Sequence, residues 1–203
     1  MMKKKKLVCG FGVNDADYSI APRVNGKQQL CPFYTTWTNM LKRCYYPIEQ
    51  TKKPTYIDCS VVSEWHSLMA FKRWMETLDW RGNELDKDVL CLGNKIYGPD
   101  TCCFVSHAVN SLLTDREAAR GNYPQGVYLD KQRQKFHAQI KINGSAKHLG
   151  RFTSPKDAHN AYCKAKSEYI AQHALAQSDP RIRSGLLKHA KIFLDKPEKE
   201  EIT

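Results

Sequence analysis

The sequence predicts an α+β protein, with a mixed helical N-terminal part and a small antiparallel sheet packed on one helix further along. Three observations lead to this fold class. Apolar residues recur at helical spacing from Trp37 to Cys44. Residues 135–142 alternate between polar and apolar and run into an Asn-Gly pair, which is the strongest short hairpin signal. Ser154 and Pro155 then have the pattern of a capped helix start.

The chain of 203 residues has room for two small domains. We divide it into an irregular arm (1–30), a mixed helical and ββα domain (31–118), a sheet-and-helix domain ending in a further helix (124–195) and a charged tail (196–203). No apolar run is long enough to span a membrane. The lysines at the N-terminus are not followed by the apolar segment of a signal peptide, so we expect a cytoplasmic protein.

The N-terminal domain is expected to follow a simple order. A helix from Phe33 is ended by Pro47, and a polar loop and an extended piece (56–62) lead to a second helix with Ser63 as its N-cap. A strand (85–90), a loop (93–100), a second strand (102–105) and a helix (106–113) follow. The tryptophans at helical spacing indicate a core in this domain.

The C-terminal domain is expected to form three strands (126–129, 135–142 and 146–152), with a bend or close approach at Gly150, and then the helix capped by Ser154. Alanines and tyrosines form the apolar stripe of that helix, which should cover one face of the sheet. The opposite face is expected to carry Tyr128, Lys135, His137, Gln139, Lys141 and His148, with Lys131 and Arg133 in the first hairpin loop near it.

Positive charge is concentrated in this C-terminal part. Residues 124–195 hold 13 Lys and Arg against 5 Asp and Glu, whereas residues 1–123 hold 17 against 13. Such a balance favours a polyanionic partner, although a merely soluble basic surface would show it too.

Several short motifs occur in order along this domain: Gly126-Val127, Lys135-Phe136-x-Ala138-x-Ile140, Leu149-Gly150-x-Phe152 and Ala158-x-x-Ala161-Tyr162. Together they resemble the AP2 domain of plant transcription factors and of phage and homing-endonuclease proteins. The resemblance implies a sheet that binds double-stranded DNA in the major groove. By position it places DNA contacts on Tyr128, Gln139, Lys141 and His148; the plant domains favour Arg and Trp on that face.

The N-terminal domain contains, in order, Tyr34-x-x-Trp37-x-x-Met40-Leu41-x-Arg43-Cys44-Tyr45, Leu85-Asp86-Lys87-Asp88 and Gly93-Asn94-Lys95. The strand, loop, strand and helix expected from Leu85 to Leu113 resemble the ββα-metal core of HNH nucleases. The whole pattern resembles phage proteins that join such a region to an AP2 domain. The resemblance implies Mg²⁺ or another divalent cation held by Asp86, with Asp88 as a further candidate ligand, and by Asn110. Lys87 stands where the general-base histidine is expected, and a lysine is a poor base unless desolvated. His107 is a candidate substitute.

Three functions remain open at this point. The chain is a homing-type, HNH-like endonuclease, a catalytically inactive DNA-binding regulator, or a module that binds a host protein. The eight cysteines favour buried, reduced thiols, and a structural zinc on Cys44, Cys59 and Cys102 has little support from their spacing.

Overall fold

The computed structural model describes residues 7–114 and 122–195, which form two compact units divided between Ser106 and His107. The expected tail (196–203) lies outside the described residues. Within the part that is described, no helix is both long and apolar enough to cross a membrane.

The first unit is built from short strands and three helices. Its elements are β1 (Arg23–Val24), β2 (Lys27–Gln28), α1 (Pro32–Tyr45), α2 (Pro47–Lys52), β3 (Ser60–Val61), α3 (Leu68–Glu76), β4 (Glu84–Asp86), β5 (Ile96–Tyr97) and β6 (Cys103–Val105). The strands pair as β1 with β2, β3 with β5 in parallel, and β4 with β6 in antiparallel. This mixed architecture agrees with the expected α+β class.

Helix α1 supplies the centre of the first core, as its spacing predicts. Trp37, Met40 and Leu41 are fully buried, and the Trp37 indole N–H donates to the backbone oxygen of Trp65 at 2.8 Å. Pro47 has no backbone N–H to continue the ladder, so α1 ends before it. The same proline then occupies the first position of α2, where a polar loop was expected; that expectation was wrong for residues 47–52.

The start of α3 differs from the expectation. Ser63 begins a 3₁₀ turn, and the N-cap of α3 is Ser67, whose hydroxyl accepts from the Ala70 N–H at 3.0 Å. Asp15, from the arm, accepts from the Ser67 hydroxyl at 2.6 Å and from the Met69 N–H at 3.0 Å. This contact spans more than fifty residues of sequence, so local pattern could not reveal it.

Strand β4 is shorter than the expected 85–90. It pairs with β6 through Leu85 and Phe104 and ends at Asp86, whose Oδ1 accepts from the backbone N–H groups of Asp88 and Val89 at 2.7 Å each. A carboxylate that bonds backbone two and three residues on closes a local turn and stops the strand.

The second unit contains the expected sheet. Its elements are α4 (His107–Leu113), β7 (Val127–Asp130), β8 (Lys135–Ile142), β9 (Ser145–Phe152), α5 (Pro155–Leu175) and α6 (Pro180–Asp195). The antiparallel order is β7-β8-β9, and β8 has the predicted bounds. At the Asn-Gly pair, both residues have positive φ (48° and 82°), the conformation that a tight two-residue hairpin requires.

Helix α5 covers one face of this sheet. Ser154 caps it as predicted, because its hydroxyl accepts from the Asp157 N–H at 3.1 Å. Buried residues of the helix, Tyr162 and Tyr169, pack with Ile140 of the sheet and with Leu112 of α4. The Tyr169 hydroxyl also donates to Asn143 Oδ1 at 2.9 Å, which ties the hairpin turn to the helix.

Candidate nucleic-acid interface

The sheet face opposite α5 carries most of the polar side chains of the three strands; we call it the polar face. Its members are Tyr128, Asp130, Lys135, His137, Gln139, Lys141, His148 and Arg151. The other face is apolar and buried at its centre, where Ala138 is 0% and Ile140 is 3% exposed. The alternation of strand residues therefore separates the two faces as the sequence predicts.

Arg151 belongs to the polar face because of a bulge in β9. Ala138 pairs with Gly150 but Gln139 pairs with His148, so Leu149 is an extra residue in β9. If the side chains alternated strictly after His148, Arg151 would face α5. The extra residue shifts the alternation by one position, so Arg151 lies on the polar face instead. Gly150, with φ of 141°, accommodates the bend. The glycine predicts a bend from the sequence, but local alternation does not predict which face Arg151 takes after it.

His137 lies at the centre of a hydrogen-bonded group on the polar face and is only 8% exposed. The Arg151 Nε–H donates to His137 Nε2 at 2.9 Å. Because the guanidinium can only donate, Nε2 is the unprotonated nitrogen and Nδ1 carries the proton. Nδ1–H therefore donates to the Tyr128 hydroxyl, 3.0 Å away, whose own proton stays available to another acceptor.

Aromatic rings line the same group. The His137 ring lies 4.9 Å from the Tyr128 ring and 4.9 Å from the His148 ring, both tilted. Tyr128 is 42% exposed and His148 is also exposed, whereas the ring between them is covered. The outer two rings thus present planar polar groups to the surroundings on either side of the covered ring.

Asp130 is the acidic member of the polar face. Burial works against its ionisation, but hydrogen bonds from the Arg133 backbone and guanidinium and from the Gln132 N–H hold the pKa of Asp130 below its usual value. Its Oδ2 lies 3.2 Å from Arg133 Nη1 and 3.4 Å from His137 Nε2. Arg133, a predicted contact residue, is therefore already engaged with a carboxylate.

The remaining predicted contact residues differ in exposure. Gln139 and Lys141 are exposed on β8, Lys131 is exposed in the β7–β8 loop, and Lys135 is half-buried at the start of β8. Beside Arg151, an open groove of about 610 Å³ is lined by the end of β9 and by residues of α5 that include Asn160 and Lys164. The exposed donors thus extend from the hairpin of β8 and β9 to this groove.

The second candidate site lies in the first unit, at the turn after β4, which we call the β4 turn (Asp86–Asp88). Burial is the main reason that the pKa of Asp86 lies above its usual value, although the N–H groups of Val89 and Asp88 partly oppose the shift. Its carboxylate closes the turn through those two bonds, so part of its hydrogen-bonding capacity serves the fold.

Lys87 is 6% exposed and has several partners within the first unit. Its ammonium donates to both carboxylate oxygens of Asp88 at 2.7 and 2.8 Å and to the Asn94 backbone oxygen at 2.6 Å. Both oxygens of Asp88 accept from this ammonium, which already supplies a positive charge beside the carboxylate, so the donors as arranged favour the lysine over a divalent cation. The proposed roles of Asp86, Lys87 and Asp88 in catalysis stay predictions.

His107 and Asn110, the other predicted nuclease residues, lie on α4 in the second unit. Their roles as substitute base and metal ligand stay predictions. Among residues 7–114 and 122–195, no three His, Cys, Asp or Glu side chains are grouped so that they could hold a metal ion.

All eight cysteines are free thiols. Cys44, Cys59 and Cys102 are buried in the first core. Burial raises the pKa of Cys44 and of Cys102 to about 12, and the thiols within reach of Cys44 raise its pKa further. These groups are therefore protonated near neutral pH as they stand, whereas zinc binds the thiolate.

Comparisons with protein-family models, with curated proteins and with solved structures found no match to this chain.

Proposed function

We propose that this protein binds double-stranded DNA through the polar face, in the manner of an AP2-like sheet in the major groove. The observation that carries the proposal is the grouping, on the sheet side away from α5, of exposed Gln139, Lys141, His148 and Arg151. Amides and guanidinium groups are the side chains that read base edges, and lysines bind either guanine or phosphate.

The dimensions of the sheet agree with a groove. Strands lie about 4.8 Å apart, so three strands make a ribbon about 10 Å across. The major groove of B-DNA is about 12 Å wide and the minor groove about 6 Å, so the ribbon fits only the major groove. The excess of basic over acidic residues in 124–195 favours the same partner.

A polar outer face is common to many antiparallel sheets, so its polarity alone decides little. Two features go beyond it. Arg151 is exposed yet its Nε is held by His137, which leaves the terminal nitrogens of an oriented guanidinium for a ligand. The Tyr128 hydroxyl accepts from the same ring and keeps its own proton as a donor. An oriented set of donors is typical of a recognition surface.

A metal-dependent endonuclease is the second candidate, since β4, β6 and α4 follow one another in the strand, strand, helix order of an HNH-like core. The Lys87–Asp88 pair speaks against it, because an ammonium supplies the charge that a cation would bring. We therefore favour a DNA-binding derivative of such a nuclease without cleavage activity. Binding of a host protein remains the third hypothesis.

Binding to duplex DNA tests the proposal directly. We expect Lys141→Ala to weaken binding about tenfold, and Gln139→Ala to relax discrimination at one base pair. The matched control is Lys188→Ala, which removes an exposed cation from α6 and should leave affinity nearly unchanged. Equal affinity for wild type, Lys141→Ala and Arg133→Ala would favour the host-protein hypothesis instead.

The same preparations, incubated with supercoiled plasmid and Mg²⁺ or Mn²⁺, test the second candidate. We expect wild type to nick the plasmid no more than Asp86→Ala and Asn110→Ala do. If wild type nicks the plasmid and both substitutions abolish the nicking, the endonuclease hypothesis is favoured instead.

A further inference from the structure

Arg151 and Asp130 face the same nitrogen of His137 from two different strands. Arg151, on β9, donates to Nε2 at 2.9 Å, and Asp130 Oδ2, on β7, lies 3.4 Å from that atom. The Arg151 contact needs an unprotonated Nε2, whereas a hydrogen bond to Asp130 needs a protonated one. The two neighbours therefore select opposite protonation states of one ring.

We propose that neutral His137 positions Arg151 to read a guanine, and that protonation of His137 releases Arg151 and removes this part of the base preference. The proposal deepens the DNA-binding function above and depends on it. Arg151 is the contact residue, and His137 is a positioning residue.

In the neutral state, Nε2 accepts from the Arg151 Nε–H, and the two terminal nitrogens have no hydrogen-bond partner among the described residues. A guanidinium fork of this kind matches the two acceptors of guanine in the major groove, and the bidentate contact depends on its orientation. His137 is itself held through Nδ1 by Tyr128 and is nearly buried, so the ring cannot turn away freely. The arginine thus has a fixed direction before DNA arrives.

Protonation takes a proton from solvent onto Nε2 and removes its lone pair. Two N–H donors, both on cations, would then face each other, and the Arg151 contact is lost. Asp130 Oδ2 can accept from the new N–H, and it needs to approach by only a few tenths of an ångström. Histidine is the side chain that makes this change near neutral pH.

Several charged or titratable groups surround this ring and bear on the transition. They are Tyr128 and Asp130 on β7, Arg133 in the loop, Lys135 on β8 itself, and His148 and Arg151 on β9. Asp130 carries the negative charge of this group, and Arg133, Lys135 and Arg151 carry positive charges. His148 is a second imidazole 4.9 Å away, so the experiment has to separate the two histidines.

The experiment begins with selection of a binding site from duplexes with a randomised core at about pH 8. Affinity is then measured, at about pH 8 and about pH 5.5, for the selected duplex and for versions with single G·C pairs replaced. We expect Arg151→Ala to remove about tenfold discrimination at one G·C pair while other positions keep theirs. Wild type should lose the same discrimination at the lower pH.

Two further variants separate positioning from simple structural support. His137→Gln keeps a neutral acceptor, so it should retain the preference at both pH values. His148→Gln should keep the pH-dependent loss seen in wild type. A wild-type preference that does not change with pH overturns the inference, as do a uniform loss of affinity in Arg151→Ala and a flat pH profile in His148→Gln.

Folding of the His137 variant is checked by circular dichroism. If it does not fold, Asp130→Asn takes its place, since the amide oxygen still accepts from the loop N–H groups but carries no charge. In Asp130→Asn, the loss of discrimination at the G·C pair should occur at lower pH than in wild type. No shift in that variant counts against the inference. Absence of duplex binding by wild type at either pH overturns the DNA-binding function itself.

Discussion

The polar face and the β4 turn both gather charged side chains at a strand, yet they use them differently. In the β4 turn, Lys87 is nearly buried and its ammonium is satisfied by Asp88 and Asn94. On the polar face, Arg151 is exposed and only one of its nitrogens is used by a neighbour in the described fold. Charges whose hydrogen bonds are satisfied internally stabilise a fold, whereas oriented and exposed donors can bind a partner.

The largest expected effect concerns Lys87. Lys87→Ala removes three charge-assisted hydrogen bonds and leaves the Asn94 oxygen without this donor, so we expect a loss of about 2–3 kcal/mol in the free energy of unfolding. Lys52→Ala is the control, because its pair with Glu49 is exposed and should contribute less than about 0.5 kcal/mol. Urea denaturation measures both.

DNA affinity of the folded Lys87→Ala protein sharpens the contrast. It should equal that of wild type, because the β4 turn has no part in the proposed contact. A tenfold loss of affinity in a folded Lys87→Ala protein would show that the two regions do not differ in the way described.

A smaller effect is expected where α5 holds the hairpin of the polar face. Tyr169→Phe removes the hydroxyl that donates to Asn143 Oδ1 and accepts from the Asn143 N–H at 3.2 Å. We expect a loss of about 1 kcal/mol in stability. The matched substitution Tyr46→Phe, at a residue 42% exposed, should change stability by less than about 0.5 kcal/mol, and an equal effect of the two would contradict the role of Tyr169.

The smallest expected effects are on the pH dependence of stability, at one carboxylate in each region, Asp130 and Asp86. The pKa of Asp130 is lowered by its hydrogen bonds, so ionised Asp130 stabilises the fold above the unfolded pKa. That contribution is lost as pH falls through the lower, folded pKa. The stability advantage of wild type over Asp130→Asn should therefore shrink between about pH 5 and about pH 2.

The contribution of Asp86 to stability should change with pH in the opposite direction. Burial raises its pKa, so the folded state binds a proton more tightly than the unfolded chain does. The stability of wild type relative to Asp86→Asn should therefore rise as pH falls from neutral through the raised pKa toward about 4. Urea denaturation across this range measures both differences, and slopes of the same sign would contradict the assigned environments.

Local pattern was enough for most of the second unit. The bounds of β8, the hairpin at Asn143 and the cap at Ser154 follow from alternation, from an Asn-Gly turn and from a serine before proline. Each of these signals acts over a few residues, so the sequence around it contains the whole cause. The predicted contact residues from Tyr128 to His148 also lie on one face for this reason.

The start of α3 and the state of Lys87 could not be predicted in the same way. Ser67 rather than Ser63 caps α3, and Asp15, far away in sequence, accepts from the Ser67 hydroxyl and from the Met69 N–H in the first turn. The sequence around Lys87 is typical of the exposed end of a strand. In the fold, Asn94 accepts from the Lys87 ammonium and donates to the Lys87 backbone oxygen. Both outcomes depend on groups that only tertiary contact brings together.

The sequence by itself determined the α+β class, the three-stranded sheet on α5 and the side of the sheet that carries the polar residues. It could do so because period and turn chemistry act locally. The tertiary structure alone decided that Arg151 joins the polar face, since one extra residue in β9 reverses the faces of a strand. It also decided that His137 holds this arginine, because the contact joins two strands whose register the bulge sets.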